Sequence, residues 1–182
     1  MARSPNSVAI AALMLAALGG CSGENQDFIV CESTYALCTT AQCQPVAGKD
    51  EEAACDCDVE TGYSAGLKPC DGQIRTAEGT QVRSRYYPIK TYAKCDNDRP
   101  WAWCLDMPCL IDPSDPGKAS CACKLVKDKG PYLVVTNSYD DATCTTNLWS
   151  SATIADVDQV TDFLKANDDL KPFQIKVLNG PN

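Results

Sequence analysis

Apolar positions along the chain form one block near the start, a few short runs in the middle and a helical stripe near the end. The block, Val8–Leu18, holds 11 residues. A bilayer-spanning helix needs about 20, so the block reads as the core of a signal peptide. Phe28-Ile29-Val30-Cys31 predicts a short strand, and 131–136 (PYLVVT) a buried one followed by a turn over 137–141. Between them, 81–93 is rich in β-branched and aromatic residues, with Pro88 imposing an edge or a bend. In 154–166, Val157, Val160, Phe163 and Leu164 share one helical face; Thr153 is placed to cap that helix and Asp156 to complete a capping box. Residues 167–169 would end it, and Phe173, Ile175 and Val177 alternate with polar residues as a final strand. The segments QPVAGKDEEAA (44–54) and LIDPSDPGKAS (110–120) carry the Pro, Gly and Asp of surface loops and predict no regular element.

Cysteine changes this picture most. The 182 residues include 13 cysteines and no histidine. Twelve of the cysteines fall into two sets: Cys31, Cys38, Cys43, Cys55, Cys57 and Cys70, then Cys95, Cys104, Cys109, Cys121, Cys123 and Cys144. An offset of 66 carries Cys38, Cys43, Cys55 and Cys57 onto Cys104, Cys109, Cys121 and Cys123, so both halves contain C-x4-C-x11-C-x-C. Tyr35-Ala36-Leu37 matches Trp101-Ala102-Trp103 at that offset, Ala53 matches Ala119, and Ser84 matches Ser150. The sixth cysteines, Cys70 and Cys144, do not correspond, which suggests a last bridge that shifted within a variable loop. Two tandem six-cysteine modules follow, over 27–90 and 91–151, with a helix–strand tail over 152–182 packed on the second. The fold class expected is disulfide-rich and mainly β (α+β). Modules this small are near the size at which bridges replace core area. Their pairing is open from sequence alone.

The apolar block ends in Leu18-Gly19-Gly20-Cys21. This resembles the lipobox of bacterial lipoprotein precursors. The resemblance covers only the start of the chain and implies removal of 1–20, acylation of Cys21 with fatty acid such as palmitate, and a short lipidated tether over 21–26. Setting Cys21 aside leaves an even number of cysteines. Ser22 is the kind of residue that, in the Gram-negative members, accompanies sorting to the outer membrane, facing the periplasm or the cell surface.

Charge and candidate chemistry narrow the function. Without 1–20 the chain carries 15 basic against 24 acidic residues, a net charge of −9, which disfavours nucleic acid. The missing histidine removes Ser-His-Asp and Cys-His centres and the commonest metal ligand. The C-x-C pairs Cys55/Cys57 and Cys121/Cys123 could serve a thiol-disulfide oxidoreductase or a metal-thiolate site, but each fits better as two strand residues bonded to distant partners. The acidic clusters, among them Asp50-Glu51-Glu52 and Asp112/Asp115, match no calcium-loop spacing and read as turn formers. Tyr35 and Trp101 recur in both halves and read as framework. Tyr86 and Tyr87 align with non-aromatic residues and are the candidate binding surface. No cofactor, metal or catalytic residue is expected. The membrane is engaged through the lipid alone. The function expected is a non-enzymatic binding or structural component of the envelope, contacting protein or glycan through the loops 44–54 and 110–120. A double-headed protease inhibitor is a narrower variant.

Overall fold

The computed structural model describes residues 27–87, 91–167, 170 and 176–179. Cys21, the expected signal segment, and Phe173 and Ile175 of the expected final strand lie outside them. The protein is mainly β and disulfide-rich, with eleven strands and two helices among the described residues.

The first half opens with β1 (Ile29–Pro45) and β2 (Glu52–Gly66), then β3 (Ile74–Arg75) and β4 (Thr80–Arg85). The second half supplies β5 (Thr91–Cys95), β6 (Trp101–Trp103), β7 (Pro108–Ile111), β8 (Lys118–Val126) and β9 (Tyr132–Val135). Helix α1 (Asp141–Thr145), β10 (Ala152–Thr153), α2 (Ile154–Ala166) and β11 (Lys176–Val177) complete the order. One sheet runs β1-β2-β8-β7-β4-β3, with β6 beside β8, and a parallel pairing of β1 with β4 closes β1, β2, β8, β7 and β4 into a ring that leaves β3 and β6 outside. Closure shortens the exposed edge on which sheets aggregate. A second sheet, β10-β9-β5-β11, carries the tail.

The loops expected over 44–54 and 110–120 are shorter than their composition implies. β1 runs on to Pro45 and β2 starts at Glu52, while β7 ends at Ile111 and β8 begins at Lys118. Each is the tip of a hairpin, because Cys43 stands opposite Cys55, and Cys109 opposite Cys121, in antiparallel register. Cross-strand pairing therefore overrides the turn propensity of the residues nearest the strands.

The 66-residue offset recurs in the hydrogen bonds. Val46 N donates to Glu52 O at 3.0 Å and Asp112 N to Lys118 O at 2.9 Å; Ser84 N donates to Met107 O and Ser150 N to Ala41 O, both at 2.9 Å. Val59 N donates to Gly117 O at 2.8 Å and Leu125 N to Glu51 O at 2.9 Å. Ala36 pairs with Ser84, and Ala102 with Ser150, in parallel. β2 and β8 pair antiparallel about Cys55 and Cys121, which are equivalent positions, so a local two-fold relates the strands. Under it Ala53 faces Cys123 and Ala119 faces Cys57. This explains the recurring alanines, since a larger side chain would displace a bridge. The ring encloses mainly cysteine and alanine, with Val82, Ile111 and Leu125. Helix α2 lays Val160 and Leu164 into a second cluster with Ala65 and Val135, to which Phe28, Tyr87 and Phe163 add partly buried rings.

Candidate functional site

Six bridges consume the twelve cysteines of the two sets, with the same nested connectivity in each. The first and sixth pair (Cys31–Cys70, Cys95–Cys144), as do the second and fifth (Cys38–Cys57, Cys104–Cys123) and the third and fourth (Cys43–Cys55, Cys109–Cys121). Neither C-x-C closes on itself. Their alternation along β2 and β8 turns both sulfurs of each pair inward, and all four cysteines are at most 1% exposed. Cys70 and Cys144 hold the same bond from different settings, a loop after β2 and helix α1. The sulfurs of Cys38, Cys57 and Cys121 lie within 4.8 Å of one another, as do those of Cys43, Cys55 and Cys104. Three thiolates so close would suit a soft metal, but every one of these sulfurs is in a bridge and has no thiolate to offer.

The candidate aromatic surface divides. Tyr86 is 6% exposed, in an isolated bridge with Ala65, while Tyr87 is half-buried against the α2 cluster. The Tyr86 hydroxyl and Thr39 Oγ1 are buried without a protein partner, and both residues line a 20 Å³ cavity beside Ser150, Ser151 and Asp156. That volume matches about one water molecule with polar groups around it. Burial pushes the Tyr86 hydroxyl pKa well above its usual value, with the charges of Asp156 and Asp106 adding to the effect. Tyr35 and Trp101 are buried, and Trp101 stacks on Tyr132 at 6.0 Å.

The acidic clusters serve as local structure. Asp112 accepts from Ser114 N at 2.8 Å and from Ser114 Oγ at 2.6 Å, which holds its carboxyl below the usual range. Asp115 accepts from Gly117 N at 3.1 Å, and Asp140 caps α1. Lys118 is paired with Asp58, which raises its pKa.

Open concavity gathers instead at the two hairpin tips. Grooves of 480 Å³ and 580 Å³ flank the stretch Leu110–Pro113 and share it as their common wall. Glu78, Gly79 and Thr80 line one of them, and Asp56, Lys118 and Ser120 the other. Leu110 is 37% exposed between them, and the Cys109–Cys121 bridge sits next to it in sequence. Gly79, at φ +138°, leaves room for Leu110, because a Cβ there would lie 3.1 Å from Leu110 Cδ1. At the other tip a 250 Å³ groove runs between Gln44-Pro45 and Arg99, Pro100 and Thr146. Gln44, Pro45 and Thr146 are the offset equivalents of Leu110, Ile111 and Thr80, so corresponding places differ in chemistry, one acidic and apolar, the other polar and cationic.

No family model, curated protein or solved structure matches this chain. Among the described residues no helix is long and apolar enough to cross a membrane.

The sequence marks 44–54 and 110–120 as contact loops, but neither the segments that wall the grooves opposite them nor a buried ion pair. Arg85 Nη1 lies 3.2 Å from Asp106 Oδ1, with both side chains almost wholly buried. Arg85 also donates to Ser64 Oγ (2.9 Å), Lys68 O (3.0 Å) and Ile29 O (2.6 Å), and Asp106 accepts from Leu67 N. These partners are scattered along the chain and share no local motif. With every polar atom engaged in this way, the pair acts as a clamp on the strands, without a face toward a groove.

Proposed function

We propose that this protein is a lipid-anchored, non-enzymatic component of the cell envelope, in which a duplicated six-cysteine module presents a partner-binding groove at Leu110–Pro113. The observation that carries the reading is the meeting of two grooves on one short stretch of a hairpin tip whose base is stapled by Cys109–Cys121. A rigid tip loses little conformational freedom when a partner docks, and grooves of this size suit side chains or sugar rings better than a flat surface does. The repeated connectivity and the hydrogen bonds at the 66-residue offset support duplication of one module. Six bridges support an oxidising compartment. The lipid anchor rests on Leu18-Gly19-Gly20-Cys21 and on the fact that the twelve bridged cysteines account for all 13 but Cys21.

Two measurements on one strain test the reading. The intact mass of the exported protein should carry acyl chains at Cys21, and Cys21→Ser should move the protein from the membrane to the soluble fraction. A photo-crosslinking residue at Leu110 should then capture one discrete envelope protein or glycan, and Leu110→Asp should abolish retention of that isolated partner by the unlabelled protein. An unacylated Cys21 would sink the anchor, and a silent Leu110 probe on correctly anchored protein would sink the groove.

A further inference from the structure

The four inner bridges form one layer inside the ring, and two contacts within it cross between the halves. Cys38 Sγ lies 3.3 Å from Cys121 Sγ, and Cys104 Sγ lies 3.3 Å from Cys55 Sγ. The two contacts are equivalents at the 66-residue offset. Cys38, Cys55, Cys104 and Cys121 are all 0% exposed. In each case a sulfur bonded within its own half stands at reacting distance, about 3–3.5 Å, from a sulfur bonded within the other half. Thiol–disulfide exchange needs a thiolate placed against a disulfide sulfur, and these contacts provide that placement once one bridge is open.

We propose that the bridge layer is exchange-competent between the two halves, through Cys38 to Cys121 and through Cys104 to Cys55. When Cys57 is not bonded to it, the Cys38 thiolate attacks Cys121 Sγ. The Cys38–Cys121 bond forms, the Cys109–Cys121 bond breaks, and the electron pair leaves on Cys109 as thiolate. The equivalent step joins Cys104 to Cys55 and releases Cys43. Each step is an isomerisation, one disulfide and one thiolate giving another such pair, so no oxidant or reductant is consumed. It runs in reverse by the same path. A chain that has formed a cross-half bridge during oxidation can thus return to the nested set without an outside isomerase. Burial disfavours the thiolate, so the step is slow near neutrality and quickens as pH rises.

The test uses the full mature chain carrying Cys57→Ser, with Cys38→Ser as its control. Each folded variant is held at pH 6 or pH 9, quenched in acid, alkylated in denaturant at acid pH and mapped as unreduced peptides. In Cys57→Ser we expect alkyl label on Cys109, a linked Cys38–Cys121 peptide, and a Cys109 share that grows with time at pH 9. In Cys38→Ser the attacking sulfur is gone, and label should stay on Cys57. Label confined to Cys38 in the first variant overturns the proposal. So does label spread over Cys43 and Cys123 as well, which would mean general scrambling. Should the serine variants fail to fold, the reduced wild-type chain is reoxidised and acid-quenched at intervals. Cys38–Cys121 and Cys55–Cys104 must then be the cross-half pairs that rise and decay, and their absence overturns the proposal.

Discussion

Arg85 is 2% exposed yet charged, and the structure tolerates it because each edge of the guanidinium meets an acceptor. Burial lowers its pKa, and the Asp106 carboxylate acts against that shift. Removing one member of such a pair strands the other, at a cost of roughly 3–5 kcal/mol. Asp106→Ala should therefore lower the urea midpoint sharply, whereas a midpoint close to that of the wild type would mean the pair is not the clamp described. Gly66 feels the same crowding, since a Cβ there would sit 2.5 Å from Asp106 Oδ1 and 2.7 Å from Arg85 Nη1. Gly66→Ala should cost about 1–3 kcal/mol, as overpacking does, and calorimetry would register it as a lower Tm. Tyrosine sets the alkaline limit. Burial, then the charges of Glu60 and Tyr87, push Tyr35 up to about 12. An unfolded tyrosine titrates near ~10, so the folded state holds its proton longer. The associated stability is complete below the unfolded value and is lost as pH rises through the folded one. Unfolding followed by fluorescence should thus grow easier from about pH 10 to 12, and a flat stability profile across that window would contradict it.

Helix α2 shows what a local signal can specify. Thr153 Oγ1 accepts from Asp156 N, and the Asp156 side chain reaches back to Thr153 N at 3.1 Å, all within four residues. Thr153→Ala should cost about 1 kcal/mol, read as a lower urea midpoint with α2 still folded; no change would mean the cap is dispensable beneath the packing of Val157 and Val160. The long hairpin β1–β2 had no comparable signature. The C-x-C pair already placed Cys55 and Cys57 on one strand face, with the acids Asp56 and Asp58 alternating beside them, but nothing marked how far β2 runs on either side of the pair. Residues of poor strand propensity masked its extent, and tertiary pairing overrode them. Cysteine parity was legible because it is arithmetic, whereas the nested connectivity was not, because it depends on register. The grooves were hidden for a further reason. Glu78–Thr80 and Leu110–Pro113 come together only through β4–β7 pairing, in which Gln81 faces Leu110, and nothing near either segment announces the other.

At the scale of the whole molecule, cohesion rests on sulfur more than on bulk apolar burial. The ring core is largely cysteine and alanine, and small side chains remove little apolar area from water. Six bridges at about 2–4 kcal/mol each are together of the same order as the roughly 5–15 kcal/mol by which a domain outweighs its unfolded chain. The fully reduced chain should therefore be unfolded at 25 °C. The order of loss follows from burial. Cys70 is exposed and Cys144 is 8% exposed, whereas the eight inner cysteines are at most 1% exposed. A thiol reductant should thus open Cys31–Cys70 first and Cys95–Cys144 next, while the inner four wait for the ring itself to open. Acid-trapped intermediates mapped by mass spectrometry, with near-ultraviolet dichroism recorded in parallel, separate the possibilities. Native dichroism should survive loss of the outer bridges and vanish together with the inner four. If the inner bridges were instead reduced one at a time, with dichroism fading in proportion, the layer would not be the cooperative centre of the fold, and the ring would owe its closure to the sheet hydrogen bonds alone.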